Sequence, residues 1–253
     1  MSGLLVVDIG NTTAKVGAWN GATVEAVSVT PTRDSESRIS NLESRISAAQ
    51  SLDSPFSVAI CSVVPEAEAA WLEWCEREGK PAFVVRGDTP SPLVNRYRAP
   101  DRLGPDRLAT AVGAAHRFGA PVIVASLGTA VVIDAVSASK EYLGGAIWVG
   151  MATGFAALAD RTIALPRVTP EPPSSPIGGD TEAGLHAGAV YGTAALVEGV
   201  AERMRDFIGE GAPLILTGGD ADLISFYLKA KHELAPYLTL EGTALIWEHG
   251  RGG

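Results

Sequence analysis

Two stretches decide how this chain is read: VVDIGNTTAKVG, residues 6–17, and ASLGTAVVIDAV, residues 125–136. Each has an apolar run, a turn with glycine and then threonine, and a second apolar run. Apolar runs of that length, broken at Gly and Thr, predict two strands joined by a tight turn. The copies differ two residues before the glycine, with Asp8 in the first and Ser126 in the second.

Working outward from the first copy, LLVVDIG, AKVGAWN and ATVEAVSV read as three strands. SRISNLESRISAAQ follows as a helix candidate, with Ile39, Leu42 and Ile46 spaced by three and four. FSVAICSVV has the pattern of a buried strand, EAEAAWLEWCEREG of a helix stopping near Gly79, and PAFVVRG of another strand. RLGPDRLATAVGAAHRFG is a turn feeding a helix. The second copy restarts the order: PVIVASLG, AVVIDAV and EYLGGAIWVG as strands, then MATGFAALADR as a helix. A proline-rich loop, ALPRVTPEPPSSPIGGD, leads into a long helix with Asp180 as its N-cap and an end near Glu210-Gly211. APLILTGG and DADLISFYL add a strand and a helix, and the rest reads as a polar C-terminal region holding His232 and His249. Strand hairpins that continue into βα units predict mixed sheets flanked by helices. The expected organisation is two similar α/β domains, residues 1–117 and 118–253.

Composition bounds the function. The chain has 253 residues, 46% hydrophobic and 19% charged, enough for two domains with real cores. A formal net charge of −9 gives no electrostatic reason to expect nucleic acid or an acidic lipid surface as partner. The N-terminus enters a strand pattern at once, with no sign of a signal peptide, and no apolar run reaches a membrane-spanning length. Cytoplasm is the expected location. Cys61 reads as a core thiol, and neither it nor Cys75 has the spacing of a zinc site. The four histidines form no cluster, and none is given a catalytic role.

A Gly/Asn/Thr turn between strands points backbone N–H groups and hydroxyls one way, a nest suited to phosphate oxygens. In the first turn that nest is Gly10, Asn11, Thr12 and Thr13. Asp8 at its mouth suits a nucleotide-bound Mg²⁺, reached through water. Lys15 on the following strand would meet phosphate as a point charge. The bland reading of such a turn is an ordinary hairpin. Its near-copy at Gly128-Thr129 strengthens the nucleotide reading, with one turn on each side of a cleft. Gly218-Gly219 in LTGGD would let backbone approach an adenosine. GPDR, residues 104–107, is the other candidate site. Asp106 there is either a charge favouring its helix N-terminus or a general base for a substrate hydroxyl, with Arg107 steadying an anionic group.

DIGNTTAK, GPDR, LGTA, YLGGAIWVG, ALADRTIALPRV, GDTEAGLHAGAVYG and LTGGDA, in that order along nearly the whole chain, resemble the type III pantothenate kinases. The resemblance implies a pair of ribonuclease-H-like domains with a nucleotide cleft between them, in the superfamily of acetate and sugar kinases, heat-shock chaperone ATPases and actin. It implies ATP-dependent phosphorylation of pantothenate to 4'-phosphopantothenate, the first step of coenzyme A synthesis, by a homodimer. By matching positions, Asp8 through Lys15 would form the first phosphate loop, and Thr129 would touch ATP from the second. Tyr97, Gly104, Pro105, Asp106, Arg107 and Thr181 would line the pantothenate site, with Asp106 as base. The family's second loop usually reads Asp-x-Gly-Thr-Ala-Thr-Thr, and its acid is associated with K⁺ or NH₄⁺. Here Ser126 stands at the acid, giving an oxygen without a charge, and Val131 and Val132 replace two threonines. Two other readings remain open: a poorly active regulatory relative of kinase fold, and a phosphotransferase acting on another small hydroxylated substrate.

Overall fold

The computed structural model describes residues 3–32 and 56–251. The helix expected over 37–50 lies outside the described residues. The chain divides into two units: Met1–Arg117 with Lys140–Tyr142 and Tyr237–Gly253, and Phe118–Ser139 with Leu143–Pro236.

In the first unit, β1 (Gly3–Ile9), β2 (Thr13–Trp19) and β3 (Val24–Pro31) form an antiparallel run. β4 (Phe56–Ser62) joins β1 in parallel, and β5 (Ala82–Val85) joins β4 in parallel. The sheet order is β3-β2-β1-β4-β5. Strand side chains alternate between faces, and the sequence of β1 uses both. Leu5, Val7 and Ile9 face helix α1 (Pro65–Arg77), packing on Trp71, Trp74 and Cys75. Leu4 and Val6 face the other way and pack with Trp19, Ala59, Leu240 and Ala244. Asp8 continues this second row. Between β5 and the next helix come a two-residue strand β6 (Val94–Asn95) and a 3₁₀ turn over Pro100–Arg102. Helix α2 (Pro105–Phe118) then closes this part of the chain.

The second unit repeats the scheme. β7 (Val122–Leu127), β8 (Ala130–Val136) and β9 (Glu141–Val149) lie side by side, and β10 (Leu214–Thr217) and β11 (His232–Leu234) extend β7 in parallel. Five strands in the order β9-β8-β7-β10-β11 repeat the order of the first sheet, and β6 is added beside β9 as a sixth. The opening residues of β9, Glu141 and Tyr142, group with the first unit and pair there with β6. Helices α3 (Met151–Arg161), α4 (Thr181–Ile208) and α5 (Ala221–Ser225) complete the second unit. Ile123, Ala125, Leu127, Val131 and Ile133 pack against Val190, Ala194 and Val197 of α4. The N-cap of α4 is Asp180, whose side chain accepts from the Ala183 N–H. The helix ends at Ile208, followed by Gly209 at φ 114°, a conformation that glycine tolerates best.

One large element differs from the expected polar C-terminal region. The polar C-terminal region holds helix α6 (Leu238–Arg251), which groups with the first unit, not with residues 118–236. Leu240 and Ala244 supply its apolar contact to β1, and the Trp19 indole donates to Glu248 at 2.7 Å. Gly242 sits mid-helix, a weak signal for helix in sequence. A side chain there would collide with the Ala109 carbonyl of α2, so the glycine is what lets the two helices approach. Thr110 and Thr239 hydrogen-bond across the same contact at 2.9 Å.

Candidate active site

The first turn is tied down by its own backbone and by Thr32. The Gly10 N–H donates to the Thr13 carbonyl at 3.0 Å. The Thr32 hydroxyl donates to the Gly10 carbonyl at 2.6 Å, and its N–H to the Thr12 carbonyl at 3.0 Å. Asn11 and Thr12 are left exposed at the tip. Thr32 is a supporting residue that nothing in the local sequence pattern indicates.

Asp8 sits below this tip, 7% exposed. Across the β1–β2 ladder its direct partner is Lys15, whose ammonium lies 3.3 Å from the carboxylate. Across β1–β4 its partner is Cys61, fully buried. Burial pushes the Asp8 carboxyl above its usual range; Lys15 pulls it down, and the charge of Asp106 pushes it up again. The structure therefore gathers Asp8, Lys15 and Asp106 in one electrostatic neighbourhood, although roughly a hundred residues separate the first two from the third in sequence. The Cys61 thiol, in the same neighbourhood, is raised well above the thiol range, chiefly by burial and then by Asp8 and Asp106. It is a core thiol, as the apolar run SVAICSVV suggested.

Asp106 is the second residue of α2, where a negative charge meets the positive end of the helix dipole. Gly104 makes room for it: a Cβ on Gly104 would stand 2.6 Å from an Asp106 carboxylate oxygen. Pro105 opens the helix, a position at which its missing N–H costs little. Arg107 is buried, with its guanidinium carbon 5.5 Å from the centre of the Tyr97 ring. Tyr97 also leans on Tyr142, ring centres 6.3 Å apart. Asn95 fixes this segment, accepting from the Tyr97 N–H at 2.9 Å and donating to the Gly87 carbonyl at 2.8 Å. Tyr97, Gly104, Pro105, Asp106 and Arg107 thus form one group in the first unit.

The second unit builds its own turn. Gly128 donates to the Ala130 carbonyl at 3.1 Å. The start of α3 packs on it: Gly150 N–H and the Thr153 hydroxyl both donate to the Thr129 carbonyl, at 3.2 and 2.8 Å. A side chain at Gly150 would be driven into the Gly128 carbonyl. Gly218, at φ 99°, packs just as closely on Leu127, and the Asp220 N–H donates to the Leu127 carbonyl at 3.1 Å. Gly128, Thr129 and Gly218 are thereby brought together at the ends of β7 and β10, with Gly219 next in sequence. Burial raises the Asp220 carboxyl. Gly150, Thr153 and Asp220 escaped the sequence reading; the close spacing of WVG before a helix was the only available signal. Thr181 is the exposed first residue of α4, in the second unit, whereas the other residues assigned to pantothenate belong to the first.

Ser126 and Val132 are direct partners across β7–β8. Their row is the one opposite the apolar cluster, because Leu127, Val131 and Ile133 take the other face. Val131 is therefore a core side chain and no part of the turn's mouth, while Val132 flanks Ser126. Among the described residues no group of three or more His, Cys, Asp or Glu side chains gathers as a metal cage. Asp8 alone fits Mg²⁺ of the kind that keeps its waters and phosphate oxygens, since that ion needs only one or two protein carboxylates.

A duplicated α/β unit with a glycine–threonine turn at the head of each sheet is a fold shared with solved sugar kinases. The inorganic polyphosphate/ATP-glucomannokinase of Arthrobacter sp. strain KM shares the fold, with a TM-score of 0.51 at 15% identity over 98% of this chain and all of that one. The family model of the type III pantothenate kinases matches residues 4–203. Type III pantothenate kinases of Roseiflexus castenholzii and Thermomicrobium roseum are 34% and 36% identical, over 98% and 97% of this chain and 99% and 96% of theirs. The chain belongs to the type III pantothenate kinase family.

Proposed function

We propose that this protein transfers the γ-phosphoryl group of ATP to the primary hydroxyl of pantothenate, giving 4'-phosphopantothenate for coenzyme A synthesis. The observation that carries the reading is the position of Asp106: a carboxylate at a helix start, in the same field as Asp8 and beside the Arg107–Tyr97 pair. Asp106 accepts the proton of the attacking hydroxyl as its oxygen bonds to the γ-phosphorus. The bond from that phosphorus to the bridging oxygen breaks, and ADP leaves with the electron pair. Arg107 and Tyr97 hold the acidic end of the substrate, with Gly104 and Pro105 shaping the backbone. The nest of Gly10, Asn11, Thr12 and Thr13, with Lys15, receives phosphate oxygens. Gly128, Thr129, Gly218 and Gly219 receive the rest of the nucleotide. Mg²⁺, held at Asp8 through water, supplies charge neutralisation on the transferring phosphate. Phosphoryl transfer needs little more than this positioning and neutralisation.

The donors at Ser126 do not fit a monovalent cation held by an acid. Ser126 offers one neutral oxygen, and its direct neighbour Val132 offers none. The reading is therefore a kinase whose turnover has no requirement for K⁺ or NH₄⁺. It works in the cytoplasm as a homodimer. Among the described residues no helix is long and apolar enough to cross a membrane. The test is a coupled ADP-release assay with pantothenate, ATP and Mg²⁺, run in sodium alone and then with added K⁺ or NH₄⁺. Equal turnover in all three supports the reading. Turnover only with K⁺ or NH₄⁺ would remove the cation-independent part of it, and none in any condition would remove the pantothenate kinase assignment.

A further inference from the structure

We propose that Lys15 is a placeholder for the divalent metal: its ammonium neutralises Asp8 until metal and nucleotide arrive together, and then passes to the nucleotide's phosphates. The inference rests on the reading that the first turn binds a metal–nucleotide complex. Three observations carry it. Lys15 is the direct cross-strand partner of Asp8, and its ammonium lies 3.3 Å from one carboxylate oxygen. The Asp8 side chain is 10% exposed and that of Lys15 is 27% exposed, so the carboxylate is fixed while the ammonium reaches solvent. The second turn, which has no acid at the equivalent position, has no cation opposite it either: Ser126 faces Val132.

A nearly buried carboxylate beside a second acid, Asp106, is costly without a counter-charge. Lys15 supplies one charge to Asp8 and is tethered to the adjacent strand, so it competes with any free cation. A metal arriving alone must displace it with no compensation. A metal arriving on ATP brings phosphate oxygens that take up the released ammonium. The site thus favours the metal–nucleotide complex over the free metal.

Mn²⁺ titration followed by electron paramagnetic resonance, with no nucleotide or pantothenate present, tests this directly. Lys15→Met is expected to bind Mn²⁺ about tenfold or more tightly than the unaltered protein. Lys15→Arg, which keeps the charge, is expected to bind as weakly as the unaltered protein. Asp8→Asn combined with Lys15→Met is expected to lose the gain. Lys15→Gln takes the place of Lys15→Met if thermal melting shows that the latter is unfolded. Equal Mn²⁺ affinity with and without Lys15, or a gain that survives Asp8→Asn, overturns the proposal. Because the titration contains neither substrate, failure of the kinase assignment would leave its result standing, and failure of the exchange would leave turnover intact.

Discussion

The two turns of this protein share a backbone plan and differ in charge. In the first, Asp8 and Lys15 face each other across the strand pair; in the second, Ser126 and Val132 take the corresponding positions. Both members of the ion pair are missing together from the second turn. The first turn is built around a buried negative charge and its counter-ion. The second is built from backbone: the Gly128–Ala130 bond, the α3 start on the Thr129 carbonyl, and Gly218 against Leu127. One plan therefore serves two physical jobs, charge handling in the first unit and close backbone approach in the second.

If charge handling belongs to the first unit, the largest effect will come from its carboxylates. Asp106→Asn keeps the shape and the helix start but removes the proposed base. Turnover is expected to fall by about 10²–10⁴-fold, the usual scale for a general base, with ATP affinity nearly unchanged. Steady-state kinetics together with calorimetric ATP binding check both halves. Unchanged turnover would take Asp106 out of the chemistry and leave the comparison without its active side.

The second turn is broken by adding atoms, not by removing charge. Gly150→Ala places a methyl group against the Gly128 carbonyl, with no flexible side chain to give way. A loss of about 1–3 kcal/mol in unfolding free energy is expected, as for other overpacked sites, with weakened nucleotide binding. Gly128→Ala is the control, because its methyl group would meet nothing within 4 Å. It should leave stability nearly intact while still weakening nucleotide binding. Denaturant melts and nucleotide titrations separate the two. Equal loss of stability in both variants would show that the turn is held by something other than the Gly150 contact.

How much of this was legible in the sequence follows the same division. The duplicated strand–turn–strand element was legible, because apolar alternation and glycine turns are local signals; the strand order of the sheets was not, because parallel pairing joins distant segments. Asp8, Asp106 and the Gly128 turn were legible for the same reason, with GPDR marking a helix start. What supports them was not. Thr32 reaches Gly10 from a distant part of the chain, and Gly150 matters only because the Gly128 carbonyl lies against it. Helix α6 was hidden because Gly242 and two threonines weaken its local propensity, and the reason for the glycine is the tertiary approach to Ala109. Long-range contacts of this kind leave no periodicity to read.

Transplanting charge sharpens the comparison further. Ser126→Asp puts a carboxylate beside Val132 with no partner on the opposite strand. In the empty protein it should lower stability by about 1 kcal/mol or somewhat more. It should also make turnover respond to K⁺ by a few-fold, a response not expected of the unaltered protein. Adding Val132→Lys should restore stability and abolish the response, because the ammonium then satisfies the acid. Melting and the ADP-release assay in sodium and potassium give both readouts. A Ser126→Asp protein as stable as the parent and indifferent to K⁺ would mean that the second turn never distinguished serine from acid.

The smallest expected effect is a reversal of sign at the first turn. The folded pKa of Asp8 is raised above its unfolded value of 3.8, chiefly by burial. A raised carboxyl favours folding while it is protonated, so its contribution is fully present below about pH 3.8 and is lost as pH rises through the folded value. At neutral pH, Asp8 therefore weakens the empty protein even with Lys15 beside it. Asp8→Asn should remove that fall, leaving the empty variant at least as stable as the parent at pH 7 and less stable relative to it in acid. The same substitution should also lower turnover if Asp8 is the proposed metal anchor. Ser126→Asn, which removes no titrating group, should show no such pH-dependent crossing. Denaturant melts from pH 4 to pH 8 on both variants decide the point. If Asp8→Asn is less stable than the parent at neutral pH, Lys15 outweighs burial, and the first turn is a stabilising ion pair instead of a strained site waiting for its metal.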